Sequence, residues 1–337
     1  MARSKTISRI GVLGDGGWGT TLAIYLARRN YDVTLWGPFP DYIRKVARNR
    51  YNAKFLPGVY LPESITVTAD LSQALRDQDL TILAIPSKYA QSVLDRVRQT
   101  GVALDQRLFL SVTKGIDTER LLRVSQMVEQ TLPEVVFAVL SGPTIAPEVA
   151  RGIPSSAVVG ARKAAVAKKI QAVFNSETFR IYTNTDIIGI ELGGSMKNVI
   201  ALACGVCDGL GFGTNTKSAL LTRGLAEMTR MGKCLGARPK TFFGLTGVGD
   251  LVTTCFSPRS RNRTVGQQLG EGRSLKAIIG QMAMVAEGVE TAKAAYKICQ
   301  QYDISMPITT EVYKILYHNK SPRKAVTELM TRKMKTE

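Results

Sequence analysis

Along the first half of the chain, short apolar runs rich in β-branched residues alternate with longer segments of helical period. The run 6–14, TISRIGVLG, is rich in β-branched residues and bounded by Gly14, which predicts a buried strand. Behind it, 17–30 carries Leu22, Ile24, Tyr25 and Leu26 among its apolar positions and predicts a helix. The pair of patterns then recurs. Strands are predicted at 31–37, 66–70, 80–86, 107–115 and 135–143, with helices at 40–49, 71–77, 87–99 and 119–131 between them. Two further strands, 155–160 and 179–184, flank another helical segment. Strands alternating with helices of about 10–15 residues imply βαβ units, and hence a Rossmann-like, doubly wound, mostly parallel sheet covered on both faces.

The pattern changes after Asp186. From Ile187 onward the long segments are helical in period, most clearly 189–209, 216–236 and 288–303, and strand-like runs nearly vanish. The expected organisation is a Rossmann-like α/β domain over 1–187 and an all-helical domain over 188–337. A length of 337 residues suits two domains of ordinary size. No internal repeat or low-complexity segment is present.

Composition narrows the setting more than the chemistry. The sequence lacks an uninterrupted apolar run of about 18 residues, so no membrane insertion is expected. The basic stretch 1–9 lacks the apolar core of a signal peptide, and the ending TRKMKTE is not a peroxisomal tail. The five cysteines are odd in number, which argues for reduced thiols in the cytoplasm. Cys204 and Cys207 form a C-x-x-C, but a structural zinc needs about four ligands and the sole histidine, His318, is remote, so helix packing is the expected role and no metal is expected. The formal charge of +18 is spread along the chain. It is compatible with nucleic-acid binding, with attraction of small anions, or with a generally basic proteome, and does not choose among them.

The loop after the first strand has the spacing G-x-G-x-x-G at Gly14, Gly16 and Gly19, with Gly17 and Trp18 between. It follows a strand and opens a helix, the context that a dinucleotide fingerprint requires. Gly14 permits the tight turn, Gly16 lets the backbone approach a pyrophosphate, and Gly19 allows close helix–strand packing. The free N–H groups of the helix N-terminus then face the anion. Asp15 is an acid among the glycines. Its side chain is expected to turn toward the adjacent sheet edge and accept hydrogen bonds there, as a structural residue and not a ligand. Trp18 is expected to form a flat wall against the cofactor more than to join the core. NAD-binding folds place an acid at the end of the second strand for the ribose 2′-hydroxyl. Here 34–39 reads TLWGPF and the first acid is Asp41, so the balance tilts toward NADP over NAD, with use of both left open and Arg44 or Arg48 near enough to help.

Hydride chemistry on a ketone also needs a proton donor. His318 is expected at a helix end in a surface or capping role, so a lysine of lowered pKa is the natural substitute. Lys197, in GGSMKNV among small and apolar residues, is the leading candidate, with Asn198 beside it for substrate. Lys114 follows a strand end, where ligands gather in open α/β sheets. As a second cation near Lys197 it would lower that pKa, and Asp250 would raise it. Ser260, Arg261 and Asn262 offer a planar fork and neutral donors suited to phosphate, though a basic surface loop reads equally well from composition.

The segments GDGGWGT (14–20), SVTKGI (111–116), SGPTIAPE (141–148), GIELGGSMKNVIA (189–201), GVGDLVTTC (247–255), SRNR (260–263) and VAEGVET (285–291), in this order and spacing, resemble bacterial NAD(P)-dependent glycerol-3-phosphate dehydrogenase. Departures are small: Asp15 stands where a small residue is frequent, and Pro147 where a lysine is common. The resemblance implies that Lys197 is the catalytic acid/base and that Lys114 and Arg261 touch both substrate and cofactor. It places Asp250, Gly142, Thr144, Ser260 and Asn262 at the substrate, and Ala146, Val285 and Glu287 at the cofactor. It implies reversible interconversion of dihydroxyacetone phosphate and sn-glycerol 3-phosphate for phospholipid synthesis, on a phosphorylated small-molecule substrate. A homodimer is expected from the frequency of two-fold assemblies. A 3-hydroxyisobutyrate or 6-phosphogluconate type of dehydrogenase is the alternative within the class, and a basic nucleic-acid-binding or NADP-sensing relative without catalysis is the alternative outside it. Lys197, Lys114 and Asp250 argue against the second.

Overall fold

Strand β1 (Arg9–Leu13) is buried at every residue after Arg9, and hydrogen-bonded neighbours flank it on both sides. It organises an eight-stranded sheet in the computed structural model, which describes residues 6–282, 284–334 and 336. Residues 1–5 of the basic amino-terminal stretch, with Lys335 and Glu337 of the carboxyl-terminal one, lie outside the described residues. The other strands are β2 (Asp32–Trp36), β3 (Ile65–Thr68), β4 (Leu80–Leu83), β5 (Leu108–Ser111), β6 (Val136–Ser141), β7 (Ser155–Ala161) and β8 (Phe179–Asn184). Their order is β3-β2-β1-β4-β5-β6-β7-β8. Every pairing is parallel except β6 with β7. The winding direction reverses between β1 and β4, the switch point at which open α/β sheets bind ligands.

Apolar side chains leave this sheet on both faces. One layer gathers Ile10, Val12, Val33, Leu35 and Leu110 with the helix Gly17–Ala27, and the other gathers Leu13, Trp36, Leu83 and Phe109 with the helix Ser87–Gln99. Burial on both faces explains why these strands read as continuous apolar runs instead of alternating ones. The helix expected at 119–131 is shorter, Val124–Thr131. Its first residues are held off the helical path by Asp117, whose Oδ1 accepts from the backbone N–H groups of Glu119 and Arg120.

The chain divides into two compact units. The first comprises Met1–Thr113 and Leu122–Ile187 and holds the whole sheet; the second comprises Lys114–Leu121 and Ile188–Glu337 and is helical. This division differs from a single cut after 187 in the placing of 114–121. These residues join the helical unit because Ile116 is buried in its core and the Thr118 carbonyl accepts from Lys297 Nζ at 2.8 Å.

The helical unit is built around Ile187–Gly209. This helix is long and apolar enough to span a bilayer, with mean hydropathy 1.4, but 94% of that window is buried, as befits a core helix. Cys204 and Cys207 lie buried on it as free thiols, and burial, the largest cause, pushes Cys207 up to about 12, so it stays protonated. His318 is exposed and closes the helix Pro307–Tyr317.

The 187–209 helix meets the helix Arg261–Gly270 backbone to backbone. A Cβ on Gly205 would stand 2.0 Å from the Arg263 carbonyl oxygen, and one on Gly266 would stand 2.1 Å from that of Leu202. Only glycine permits this approach. Gly266→Ala should therefore cost at least the ~1–3 kcal/mol typical of overpacking, and lower the melting temperature by several degrees. Unchanged thermal denaturation of that variant would contradict the close contact.

Candidate active site

Two groups of candidate residues occur, one in each unit. In the first unit, β1 runs into the glycine loop. Gly14 has φ +121, a conformation natural only to glycine, and its N–H donates to the Trp36 carbonyl at 2.9 Å. A Cβ on Gly19 would lie 1.9 Å from the Gly14 carbonyl oxygen, so this glycine sets the helix 17–27 against the strand. Gly16 precedes that helix without a side-chain cap and has open space where a Cβ would be, and the first turn holds no acid. The loop thus presents uncapped N–H groups with room beside them, which fits the pyrophosphate of a dinucleotide. Gly17 packs under the carbonyl of Phe55. Trp18 is half-buried and packs on the sheet core, so part of its ring serves the core that the sequence reading had set aside; its Nε1 has no partner among the described residues.

Asn52, with no solvent exposure, fastens this loop and was invisible in sequence. Its Nδ2 donates to the Asp15 carbonyl at 2.7 Å and to Thr20 Oγ1 at 2.8 Å, and its Oδ1 accepts from Tyr42 Oη at 2.6 Å. The donors thus reach the main chain of Asp15, and its Oδ2 accepts no hydrogen bond among the described residues. Burial, opposed by a backbone hydrogen bond and then by Lys54, raises Asp15 to about 6. Also in this unit, Gly142 has φ +144 and Thr144 Oγ1 donates to its carbonyl. The carbonyl of Ala146, the first residue of helix Ala146–Ala150, accepts from Thr21 Oγ1 at 3.2 Å. Arg44 is exposed and bound to Asp41 at 2.6 Å, and Arg48 is exposed.

The second group lies within the helical unit, and Lys114 belongs to it through 114–121. Asp250, 1% exposed, is the centre. Lys197 Nζ donates to its Oδ1 at 2.5 Å and Lys114 Nζ to its Oδ2 at 2.7 Å. Lys197 also donates to Thr254 Oγ1 at 2.7 Å. Thr254 was not singled out in sequence, though it is four residues beyond Asp250 on the helix Asp250–Phe256 and so shares its face. A single π turn, Leu245–Gly249, delivers Asp250 into this position. Lys197 is lowered to about 8: burial is the largest cause, Asp250 opposes it, and Lys114 adds to it. Both expected electrostatic influences are present, but desolvation leads.

Asn198 extends the cluster, donating from Nδ2 to the Lys114 carbonyl at 3.3 Å and accepting on Oδ1 from Asn262 Nδ2 at 2.8 Å. Asn262 is buried and also accepts from the Gly288 N–H at 2.9 Å, so its side chain is turned inward as a connector. Ser260 caps helix 261–270, its Oγ accepting from Arg263 N–H at 3.2 Å. Arg261 is exposed at the first turn and donates to the Val285 carbonyl at 2.8 Å. Arg263 is bound to Asp208 at 2.6 Å and is not a free cation. Glu287 opens the helix Glu287–Gln301.

Charged Asp15 should burden the fold. Its carboxyl group ionises near 3.8 when unfolded and near 6 when folded, so the cost is absent below pH 4, grows between the two values and is complete above 6. Asp15→Asn should therefore be more stable than wild type at pH 7.5 by on the order of 2–3 kcal/mol, with the difference fading toward pH 4. Denaturant melts at the two pH values check this.

Two family models together match most of the chain: the N-terminus of NAD-dependent glycerol-3-phosphate dehydrogenase over residues 9–167 and its C-terminus over 186–327. A relative from Citrifermentans bemidjiense, named glycerol-3-phosphate dehydrogenase (NAD(P)+), is 46% identical over 332 residues, 98% of each chain. One of the same name from Geobacter sulfurreducens is 46% identical over 335 residues, again 98% of each. Among solved structures, glycerol-3-phosphate dehydrogenase from Coxiella burnetii superposes with a TM-score of 0.93 at 34% identity, covering 97% of this chain and 99% of that one.

Proposed function

Since the chain belongs to the NAD-dependent glycerol-3-phosphate dehydrogenase family, we propose that it catalyses reversible hydride transfer between NAD(P)H and dihydroxyacetone phosphate, giving sn-glycerol 3-phosphate for glycerophospholipid synthesis. The observation that carries this reading is the buried Lys197 ammonium, oriented by Asp250 and Thr254 and lowered to about 8. When bound, the dinucleotide supplies the hydride. Gly14, Gly16, Gly17 and Gly19 shape the loop that would hold its pyrophosphate on the uncapped N–H groups at the start of the helix, and Trp18 would wall it. Ala146, Val285 and Glu287 complete the cofactor contacts by analogy with the family.

Lys197 donates its proton to the carbonyl oxygen as that oxygen gains negative charge, and takes it back in the oxidation direction. A group of pKa about 8 does both near neutrality. Asp250 keeps the ammonium aimed, and Lys114 adds a second positive charge for the developing alkoxide. Ser260 and Arg261, at the amino end of a ten-residue helix, receive the substrate phosphate with a guanidinium fork and free N–H groups. Asn262 holds Asn198 for the substrate, and Gly142 and Thr144 add backbone and hydroxyl contacts. The free state of all five cysteines supports a cytoplasmic setting, and the net charge of +18 suits phosphorylated ligands. A homodimer completes the proposal.

Following NADH and NADPH absorbance with dihydroxyacetone phosphate tests the reading. Lys197→Ala should lower kcat about 10²–10⁴-fold. No turnover by the wild type, or full activity in the variant, would sink it. The wild-type reduction rate should fall as pH rises through about 8, where Lys197 loses its proton, and the oxidation rate should rise over the same interval.

Arg261→Ala should act differently. A charged contact to phosphate, made equally in ground and transition states, is worth ~1.5–3 kcal/mol, so KM should rise roughly 10–100-fold with kcat changed far less. A loss confined to kcat would remove Arg261 from the phosphate.

A further inference from the structure

Asp15 is 4% exposed, and its Oδ2 has no hydrogen-bond partner among the described residues. It stands against Gly37, the residue that follows β2. A Cβ built on Gly37 would lie 2.8 Å from both Cγ and Oδ2 of Asp15. Dinucleotide folds of this kind place an acid at the end of β2, where it accepts a hydrogen bond from the adenosine ribose 2′-hydroxyl. In this chain β2 ends at Trp36 and is followed by Gly37, Pro38 and Phe39, none of them acidic. The missing side chain at 37 leaves the space that Asp15 fills from the loop after β1.

We propose that Asp15 takes the place of the absent β2 acid and makes the dinucleotide site select NAD(H) against NADP(H). The proposal rests on reading the glycine loop as a dinucleotide cradle. It reverses the preference drawn from the sequence, where the lack of an acid at the end of β2 favoured the phosphorylated cofactor. Two effects act in the same direction. The ionised carboxylate sets a negative charge beside the end of β2, which attracts the proton of a ribose hydroxyl brought there. A 2′-phosphate in the same place carries nearly two negative charges and has little proton to give, and it meets an anion shielded from water, where like charges repel most strongly. Asp15 is ionised above about pH 6, so the selection operates at neutral pH.

Arg44 and Arg48, the cations that the sequence offers for a 2′-phosphate, are both exposed, where water screens their charge. Arg44 is engaged by Asp41 on the surface. Lys54 is the residue whose charge reaches Asp15, and its ammonium lies over the rings of Phe55 and Tyr42, 5.0 and 6.0 Å from their centroids. One ammonium balances one carboxylate, and leaves nothing for a further dianion.

Calorimetric titration of the purified full chain with NADH, NADPH, 5′-AMP and adenosine 2′,5′-bisphosphate reads the selection without turnover. The wild type should bind NADH at least about tenfold more tightly than NADPH, and the two adenosine fragments should differ in the same sense. Asp15→Asn and Asp15→Ser should each narrow the ratio about tenfold or more, chiefly by gaining affinity for NADPH and the bisphosphate. A wild type that prefers NADPH overturns the proposal. So does an unchanged ratio in whichever of the two variants folds, or a selective loss of NADPH affinity in Lys54→Met, which would make Lys54 a phosphate holder. Failure of the wild type to bind either dinucleotide refutes the cradle itself, a result distinct from binding both without discrimination.

Discussion

Asp250 holds two ammonium groups on one buried carboxylate, one on each oxygen, and the chemistry of the helical unit follows from that arrangement. A lone ammonium buried as deeply as Lys197 would shed its proton well below neutrality; a lone carboxylate there would gain one. Together they keep charge inside a protein interior at a cost the surrounding hydrogen bonds offset. Thr254 supplies the remaining acceptor for Lys197 and returns its own proton to the Asp250 carbonyl. The outcome is a lysine neither so stabilised that it cannot release a proton nor so destabilised that it cannot hold one.

The backbone geometry around the 187–209 helix explains how such a cluster stays assembled. The side chains come from four stretches far apart in sequence, and the main chains carrying them approach unusually closely. The glycine contacts between the 187–209 and 261–270 helices bring Asn262 within 2.8 Å of Asn198, and Asn262 in turn reaches the start of the 287–301 helix through Gly288. Ser260 and Arg261 are therefore presented from a helix whose position is set by main-chain contact, with little freedom left to side chains.

The strands, the glycine loop and Lys197 were legible in sequence because each leaves a local mark: a continuous apolar run, a spacing of glycines, a lysine amid small and apolar neighbours. Thr254 and Asn52 left none, since their importance comes from what they meet after folding. Asp15 was legible as an oddity, but its environment was not: Asn52 and Thr20 donate to its carbonyl, a contact no local pattern announces. Lys114 was read as a strand-end residue and a second cation near Lys197. Its membership in the helical unit left no mark, because periodicity along a chain carries no signal that eight residues leave one core and enter another. For the same reason Asn262 looked like a third surface donor for phosphate, when burial makes it a tie between helices.

The excursion of 114–121 has a consequence for how this architecture can be inherited. The helical unit is not a contiguous stretch of gene. Recombination that exchanged only the part encoding 188–337 would bring Asp250 and Lys197 together with their own helices but leave behind the second ammonium and the buried Ile116. A chimaera would then depend on whether the other parent happened to supply a compatible eight-residue insert. Evolution by shuffling of whole units is thereby discouraged, and the two parts of the chain are bound to change together.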